Sequence, residues 1–202
     1  MAKQVTAKDN STEQKIKEVA THVFLRKGYA GTTTREIAEE AGINHALLNY
    51  YFRGKDRLFD RVAQEQTAIF FDKIYPIVNN EASSLEEKIK GLINYYTKIL
   101  LAEPGLVFFI SNEMQNRPEH IAELMAANKG LAKSIIGRQL QEARPDIHPM
   151  QLLMSILGMI LFPYISRGVF QRSMGINEKA INKMLKERAE LLPVLIKAML
   201  SM

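Results

Sequence analysis

The sequence predicts an all-α protein of about nine helices. Apolar residues recur at helical spacing in one segment after another, and no run of alternating polar and β-branched residues indicates a strand. Capping boxes and breaks such as Pro104-Gly105 and Arg144-Pro145 separate the helical segments. We therefore expect an N-terminal arm and a head of three short helices in residues 1–55, followed by a larger helical body in residues 56–202.

The first helix is predicted to begin at a capping box formed by Ser11 and Gln14 and to end at Gly28. After two short helices, a fourth is expected to begin near Lys55 and to end at Pro76, because proline interrupts the helical hydrogen-bond pattern. The apolar periodicity predicts five further helices in the body. They cover 84–101, 104–114, 119–143, 150–172 and 177–202.

Composition and charge narrow the classes of function. The net charge is +5, and residues 1–61 are the more basic part, with 11 Lys and Arg against 8 Asp and Glu, which favours a polyanionic partner. The absence of cysteine excludes disulfides and thiolate metal sites and fits a reducing compartment. The N-terminal residues lack the apolar core of a signal peptide, and the apolar run 152–165 is too short to span a hydrocarbon layer of about 30 Å. We expect a cytoplasmic protein without a membrane partner.

The segment from Thr33 to Phe59 carries the functional signal. Thr33 and Glu36 form a capping box that opens a short helix, and Gly42 ends it, since the following tight turn needs a residue that tolerates positive φ. Ala38 is small where the two helices must approach closely. Inward-facing offsets of both helices hold apolar residues, namely Ile37, Ala41, Ile43, Leu48 and Tyr51. The pattern predicts a helix-turn-helix; the alternative is two ordinary amphipathic helices joined by Ala-Gly.

A third short helix is expected from about Asn44 to Tyr51, and it is followed by the residues that make a resemblance specific. Tyr51, Phe52, Lys55, Leu58 and Phe59 form a Tyr-Phe-x-x-Lys-x-x-Leu-Phe pattern. With the preceding Ala-Gly-Ile, this pattern resembles the N-terminal domain of the TetR family of transcription regulators, over about residues 14–60.

The resemblance implies a sequence-specific, ligand-responsive repressor that binds a palindromic operator as a homodimer. It assigns DNA binding to residues 1–55, and ligand binding and dimerisation to residues 56–202. Its partners would be double-stranded DNA, a second copy of the chain, and an unidentified small-molecule effector with an apolar part. The hypothesis from a different class is a helical small-molecule or protein-binding module that does not bind DNA.

The chemistry of individual side chains assigns roles at the DNA. The third helix would enter the major groove, where asparagine can pair with adenine, histidine with guanine N7, and leucine with a thymine methyl group. Its candidate contacts are Asn44, His45, Ala46, Leu47, Asn49 and Tyr50. Thr33 and Thr34 at a helix N-terminus favour a phosphate, and Arg35 would reach phosphate or groove.

The resemblance adds phosphate contacts by Lys55 and Tyr50, which match phosphate-contacting positions of the family. Two positions depart from its pattern. Asn49 stands where the family usually has tyrosine, and His45-Ala46 replaces a more typical Lys-Gly pair. These departures leave the docking mode intact, but they leave the operator sequence open.

The body supplies candidate residues for dimerisation and for a ligand pocket. The family's last two helices pair with those of a second copy, which implies an interface made by Leu153, Ile156, Leu157, Ile160, Leu161, Met184, Leu185, Leu192 and Leu195. An intramolecular core is the alternative for these residues. Aromatic and methionine side chains of the central helices are candidate pocket residues, because they pack readily around apolar ligands. They are Tyr95, Tyr96, Phe108, Phe109, Met114 and Met125.

An enzyme is not predicted. The four histidines are scattered, and no HExxH motif is present. His120 and Glu123 share a helix face, but two ligands alone do not make a metal site. No nucleophile, base and orienting acid can be grouped, so we predict no catalytic residue, no metal and no cofactor.

Overall fold

A computed structural model describes residues 7–127 and 133–201 of the chain. These residues form eleven α-helices and no β-strand, which confirms the all-α prediction. The helices, in chain order, are α1 (Ala7–Lys27), α2 (Thr34–Glu40), α3 (His45–Phe52), α4 (Lys55–Val78), α5 (Leu85–Ala102), α6 (Leu106–Asn116), α7 (Pro118–Ala127), α8 (Ile135–Ala143), α9 (Pro149–Ile165), α10 (Arg167–Met174) and α11 (Glu178–Ser201).

The helix count exceeds the expected nine because two predicted helices are each divided. The segment 119–143 contains α7 and α8, and the Ser134 hydroxyl caps α8 by accepting a hydrogen bond from the Gly137 amide. The segment 150–172 contains α9 and α10, which are bent by 56° relative to each other. Pro163, in the last turn of α9, has no amide hydrogen to donate, and α9 ends two residues later.

The predicted start of the first helix is also corrected. Helix α1 begins at Ala7, so Ser11 lies inside the helix and is not its N-cap. The Gln14 side chain donates to the Glu18 carboxylate at 3.0 Å, one helical turn further on. A Ser-x-x-Gln pattern can therefore occur within a helix, where the glutamine side chain bonds to another side chain and not to the backbone of a capping residue.

The head and the body share helix α4. Phe24 of α1, Ile37 of α2 and Leu48 of α3 are buried with Leu58, which lies in the first half of α4. The second half of α4 buries apolar residues such as Ile74 in the body. Because α4 has 24 residues, it extends roughly 36 Å and connects the two cores.

Five residues assigned to the dimer interface belong to the core of a single copy. They are at most 3% exposed: Leu153, Ile156, Ile160, Leu185 and Leu192. Leu157 and Leu161 are half-buried and line an internal cavity. The burial of the first five favours the intramolecular core that the sequence left open as the alternative, because α9 is apolar on nearly every side and periodicity alone does not separate its inward face from its outward face.

Several apolar residues of the last three helices are exposed instead. Met184 and Leu195 of the predicted interface are exposed, at 42% and 40%. They are joined by side chains that the sequence analysis did not select, which are Phe162, Ile165, Val169, Leu191 and Val194, all between 49% and 68% exposed. We refer to these seven residues as the α9–α11 face.

Within the described part of the chain, no single helix is long and apolar enough to cross a membrane. Helices α9 and α10 are long and apolar enough only when they are taken together, and they are bent by 56° relative to each other.

Candidate nucleic-acid interface

The corner between α2 and α3 is closed by a Schellman motif. The Ile43 amide donates to the Ala38 carbonyl at 2.9 Å, and the Gly42 amide donates to the Glu39 carbonyl at 3.0 Å. Gly42 has a φ of +64°, as the sequence predicts for the turn, and a side chain there would be strained. The chain thus leaves α2 and enters α3 through a corner that two backbone hydrogen bonds hold.

The inward faces of α2 and α3 fix the two helices on the head. Ile37, Ala38, Ala41 and Leu48 are buried, which matches the inward offsets predicted from the sequence. Helix α1 supports α2 from the other side through an ion pair between Arg26 and Glu40 at 2.8 Å and a second between Lys27 and Glu36. These ion pairs occupy two basic residues of α1.

The outward face of α3 is open to solvent. The candidate groove residues Asn44, Ala46, Leu47, Asn49 and Tyr50 are all exposed, with Tyr50 at 69%. Their exposure leaves the side chains free to meet base edges or phosphates.

Two of the predicted contact residues also cap helices. The Thr33 hydroxyl accepts a hydrogen bond from the Glu36 amide at 3.2 Å at the start of α2. The Asn44 side-chain oxygen accepts from the Ala46 amide at 2.8 Å at the start of α3. The Asn44 side-chain NH2 group remains free to donate to DNA, and the oxygen has one acceptor position left.

His45 links the two helices. Its Nε2 atom lies 2.9 Å from the Thr34 hydroxyl of α2, and the Asn49 side-chain amide lies 3.5 Å from the imidazole. His45 and Thr34 are half-buried, whereas Asn49 is exposed. The hydrogen bond between Thr34 and His45 thus joins the candidate phosphate contact at 34 to the candidate base contact at 45, and the Asn49 amide lies against the same imidazole.

Lys55 is bound to the loop before α2. Its ammonium group donates to the carbonyls of Tyr29 and Thr32 at 2.9 and 3.0 Å, and it lies 4.1 Å from the centre of the Tyr29 ring. The Tyr29 hydroxyl donates to Asp56, and this hydrogen bond raises the pKa of Tyr29. Lys55 therefore positions the loop that leads to Thr33, which the sequence analysis did not anticipate.

Two exposed arginines near the recognition helix were missed by the sequence analysis. Arg53 caps the C-terminus of α3 with a φ of +55°, and Arg57 lies in the first turn of α4. Both are exposed, and neither has an ion-pair partner among the residues that the structure describes. Unpaired cations beside a helix that enters DNA are candidates for phosphate contacts, and their position after the recognition helix is the signal that could have identified them.

The head is joined to the body by an aromatic cluster and a close backbone approach. Phe109 of α6 stacks on Phe59 of α4 with ring centres 5.3 Å apart, and both rings pack against Phe24 of α1. A Cβ atom on Gly105 would lie 2.5 Å from the Leu25 carbonyl oxygen. Only glycine fits at this contact between the start of α6 and α1.

The body contains a cavity of about 190 Å³. Of the predicted pocket residues, Tyr96, Met114 and Met125 line it. Tyr95, Phe108 and Phe109 are not among the residues that line it. Phe109 is fully buried in the aromatic cluster, and Phe108 is 46% exposed.

The sharp corner and the open face of α3 define a helix-turn-helix DNA-binding protein. The model of the bacterial regulatory proteins of the tetR family matches residues 16–62. The HTH-type transcriptional repressor KstR2 of Mycobacterium tuberculosis is 30% identical over 150 residues, which are 71% of this chain and 74% of that protein. The chain belongs to the TetR family and is a DNA-binding transcription regulator, not an enzyme.

Two further proteins are similar over most of their length. The probable HTH-type transcriptional regulator YttP of Bacillus subtilis is 26% identical over 161 residues, covering 77% of this chain and 78% of that protein. The structure of the regulator FadR from Bacillus subtilis in complex with stearoyl-CoA has a TM-score of 0.63 at 17% identity, covering 89% of this chain and 96% of that chain. The latter likeness concerns the fold.

Proposed function

We propose that the protein is a cytoplasmic, ligand-responsive repressor that binds a palindromic operator as a homodimer. The observation that carries the proposal is the solvent-exposed face of α3 behind the Schellman corner at Gly42. In this proposal residues 1–55 read DNA and residues 56–202 bind the effector and the second copy. The α4 helix begins at Lys55 and extends from one part into the other.

The DNA contacts divide into two groups. His45, Leu47 and Asn49 contact base edges, and Asn44 and Ala46 border the same groove. The second group binds phosphate, which fixes the orientation of the head on the duplex. It consists of Thr33, Thr34, Arg35, Tyr50 and Lys55, to which we add Arg53 and Arg57.

The second copy docks on the α9–α11 face. This face presents large apolar side chains to solvent, with Val169 and Val194 at 68% and 64% exposure. Burial of such a face is favourable by roughly 25 cal/mol per Å² of apolar surface. A two-fold dimer also presents two recognition helices, as a palindrome requires.

The effector enters the body cavity with an apolar group. Apolar side chains make up nearly all of the cavity wall, and the similar structure of FadR from Bacillus subtilis is a complex with stearoyl-CoA. An acyl thioester is therefore one class of effector compatible with the fold. Occupancy of the cavity would alter the packing of α4 and α6, and through α4 the position of the head.

Selection from random DNA duplexes tests the proposal. We expect enrichment of an inverted repeat whose half-sites are about 34 Å apart, or a multiple of that distance. Binding should weaken steeply with salt, because phosphate contacts release counterions. A pool that is not enriched at moderate salt, with a folded protein, would contradict the proposed function.

A further inference from the structure

The wall of the body cavity carries no charge. Its lining comes from α4, α5, α6, α7 and α9, and in the described ranges 7–127 and 133–201 no Asp, Glu, Lys, Arg or His side chain contributes to it. A carboxylate or ammonium group placed there would lose its hydration without gaining a counter-charge, which is strongly unfavourable. The cavity therefore selects for an uncharged group.

Two of the lining residues carry a hydroxyl group. Tyr96 of α5 and Ser111 of α6 both line the cavity, and neither hydroxyl has a hydrogen-bond partner among the residues that the structure places. Tyr96 is 4% exposed, and its burial raises the pKa of its phenol, so the group stays neutral. A buried phenol such as that of Tyr96 normally finds a hydrogen-bond partner, and a ligand in the cavity can supply one; Ser111, which is half-buried, is the second hydroxyl residue of the wall.

The volume limits the size of the occupant. A cavity of about 150 Å³ lined by leucine, isoleucine and phenylalanine holds one benzene molecule. At about 190 Å³ this cavity holds one substituted ring or a short aliphatic chain. A larger ligand must leave its remaining atoms outside.

We propose that the cavity takes a short, uncharged apolar group with one neutral oxygen, a hydroxyl or a carbonyl, that hydrogen-bonds to Tyr96 and Ser111. The inference rests on the proposed function and specifies the chemistry of its effector. The group can be a free molecule, such as an alcohol or ketone, or the acyl end of a larger carrier. A free carboxylate of the same length should bind more weakly, because inside the cavity it would lose hydration without gaining a counter-charge.

Isothermal titration calorimetry with matched six-carbon probes tests this selectivity on the full chain. Hexan-1-ol should bind, and hexanoate should bind at least tenfold more weakly at neutral pH. Equal or tighter binding of hexanoate overturns the proposal, as does the absence of binding by every probe up to its solubility limit. Hexanoyl-CoA shows whether the apolar group belongs to a free molecule or to the acyl end of a carrier. Tighter binding than that of hexan-1-ol indicates an acyl carrier, and weaker binding indicates a free ligand.

Two variants test the hydrogen bond itself. Tyr96→Phe and Ser111→Ala each retain an uncharged wall, and we expect the Tyr96→Phe change to lower hexan-1-ol affinity about two- to tenfold. Tyr164→Phe is the matched control, because the Tyr164 hydroxyl donates to Thr97 at 3.2 Å and Tyr164 does not line the cavity. Unchanged affinity in both cavity variants overturns the assignment of these hydroxyls.

The effector chemistry and the DNA-binding function can fail independently of each other. A protein that binds its selected operator but none of the probes refutes the effector chemistry and leaves the DNA-binding role intact. A protein that binds hexan-1-ol but enriches no duplex refutes the proposed operator and leaves the cavity assignment intact.

Discussion

The Thr34 hydroxyl of α2 and the Nε2 atom of His45 in α3 are 2.9 Å apart, so the two helices of the corner are linked through a candidate base-reading residue. We expect Thr34→Val to change the base preference at the operator position that His45→Ala changes, because the imidazole loses the group that orients it. Overall affinity should also fall if Thr34 contacts phosphate. Selection of binding sites with each variant measures both effects.

Thr33→Ser is the control for that experiment, since it keeps the hydroxyl that caps α2. Its selected sites should equal those of the unmodified protein. If Thr34→Val lowers affinity but leaves every base preference unchanged, the hydrogen bond does not position His45 for reading.

Lys55 is predicted to act on both stability and DNA binding. Lys55→Met removes the donor to the carbonyls of Tyr29 and Thr32, and we expect a loss of about 1 kcal/mol in the free energy of unfolding, because Lys55 is only half-buried. If the ammonium group also contacts phosphate, the slope of log affinity against log salt falls by about 1. Urea unfolding and salt-dependent gel shifts give the two quantities.

Arg57→Met separates these effects. Arg57 is exposed and has no ion-pair partner in the described part of the chain, so the change should lower the salt slope and leave stability nearly unaltered. Loss of stability in Lys55→Met with an unchanged salt slope would show that Lys55 acts only through the loop.

The head could be predicted because its constraints are local. A positive φ at Gly42, a capping threonine at 33 and a small Ala38 each restrict one position within a short segment, and the structure bears all three out. The contacts of His45 with Thr34 and of Lys55 with the Tyr29 loop were not predictable in the same way. They join residues 11 and 26 positions apart, and only the packed corner brings them together.

The body was predicted less well, because burial there depends on long-range packing. The apolar spacing in α9 and α11 identifies helices, but it does not distinguish Ile156, which is fully buried, from Phe162, which is 58% exposed. Likewise Phe108 and Phe109 are neighbours in one aromatic run, and only the position of α6 against Phe24 and Phe59 decides which is core.

Glu113 is a buried carboxylate whose removal should be costly. Its side chain is fully buried, accepts a hydrogen bond from His120 Nδ1 at 2.8 Å, and lies 3.9 Å from Arg117, which pairs with Asp60 of α4. We expect His120→Ala to lower the free energy of unfolding by about 2 kcal/mol, because it leaves the carboxylate poorly satisfied. Urea denaturation measures the change.

The double variant gives the control for this pair. Adding Glu113→Gln to His120→Ala replaces the buried charge with a neutral amide, so the combined loss should be smaller than the sum of the two single losses. Additive losses would mean that Glu113 and His120 contribute independently.

Lys88 should make stability depend on alkaline pH. Its side chain is 1% exposed and its ammonium group donates to the Ser83 carbonyl; burial lowers the pKa of Lys88 from its ordinary value of 10.5. At a pH between the lowered pKa of Lys88 in the folded protein and 10.5 in the unfolded chain, the unfolded chain binds more protons than the folded one. The free energy of unfolding therefore increases as the pH rises through this range. Below the folded pKa the burial penalty is fully present.

Comparison with Lys88→Met isolates this contribution, because the variant lacks the titrating group. We expect the free energy of unfolding of the unmodified protein to rise relative to that of Lys88→Met as the pH increases through this range. A difference that stays constant with pH would refute the burial effect.

The α9–α11 face is predicted to hold the dimer together. Val194→Glu places a charge on this face, where Val194 is 64% exposed, so we expect the molar mass from light scattering to fall to that of one chain while the fold is retained. Lys186→Glu alters the charge of an exposed α11 residue on another side of the helix and should leave the mass unchanged. Ile156→Ala, by contrast, opens a cavity in the core and should cost about 2–4 kcal/mol of stability without a direct effect on association. If Val194→Glu remains dimeric, the second copy docks elsewhere on the chain.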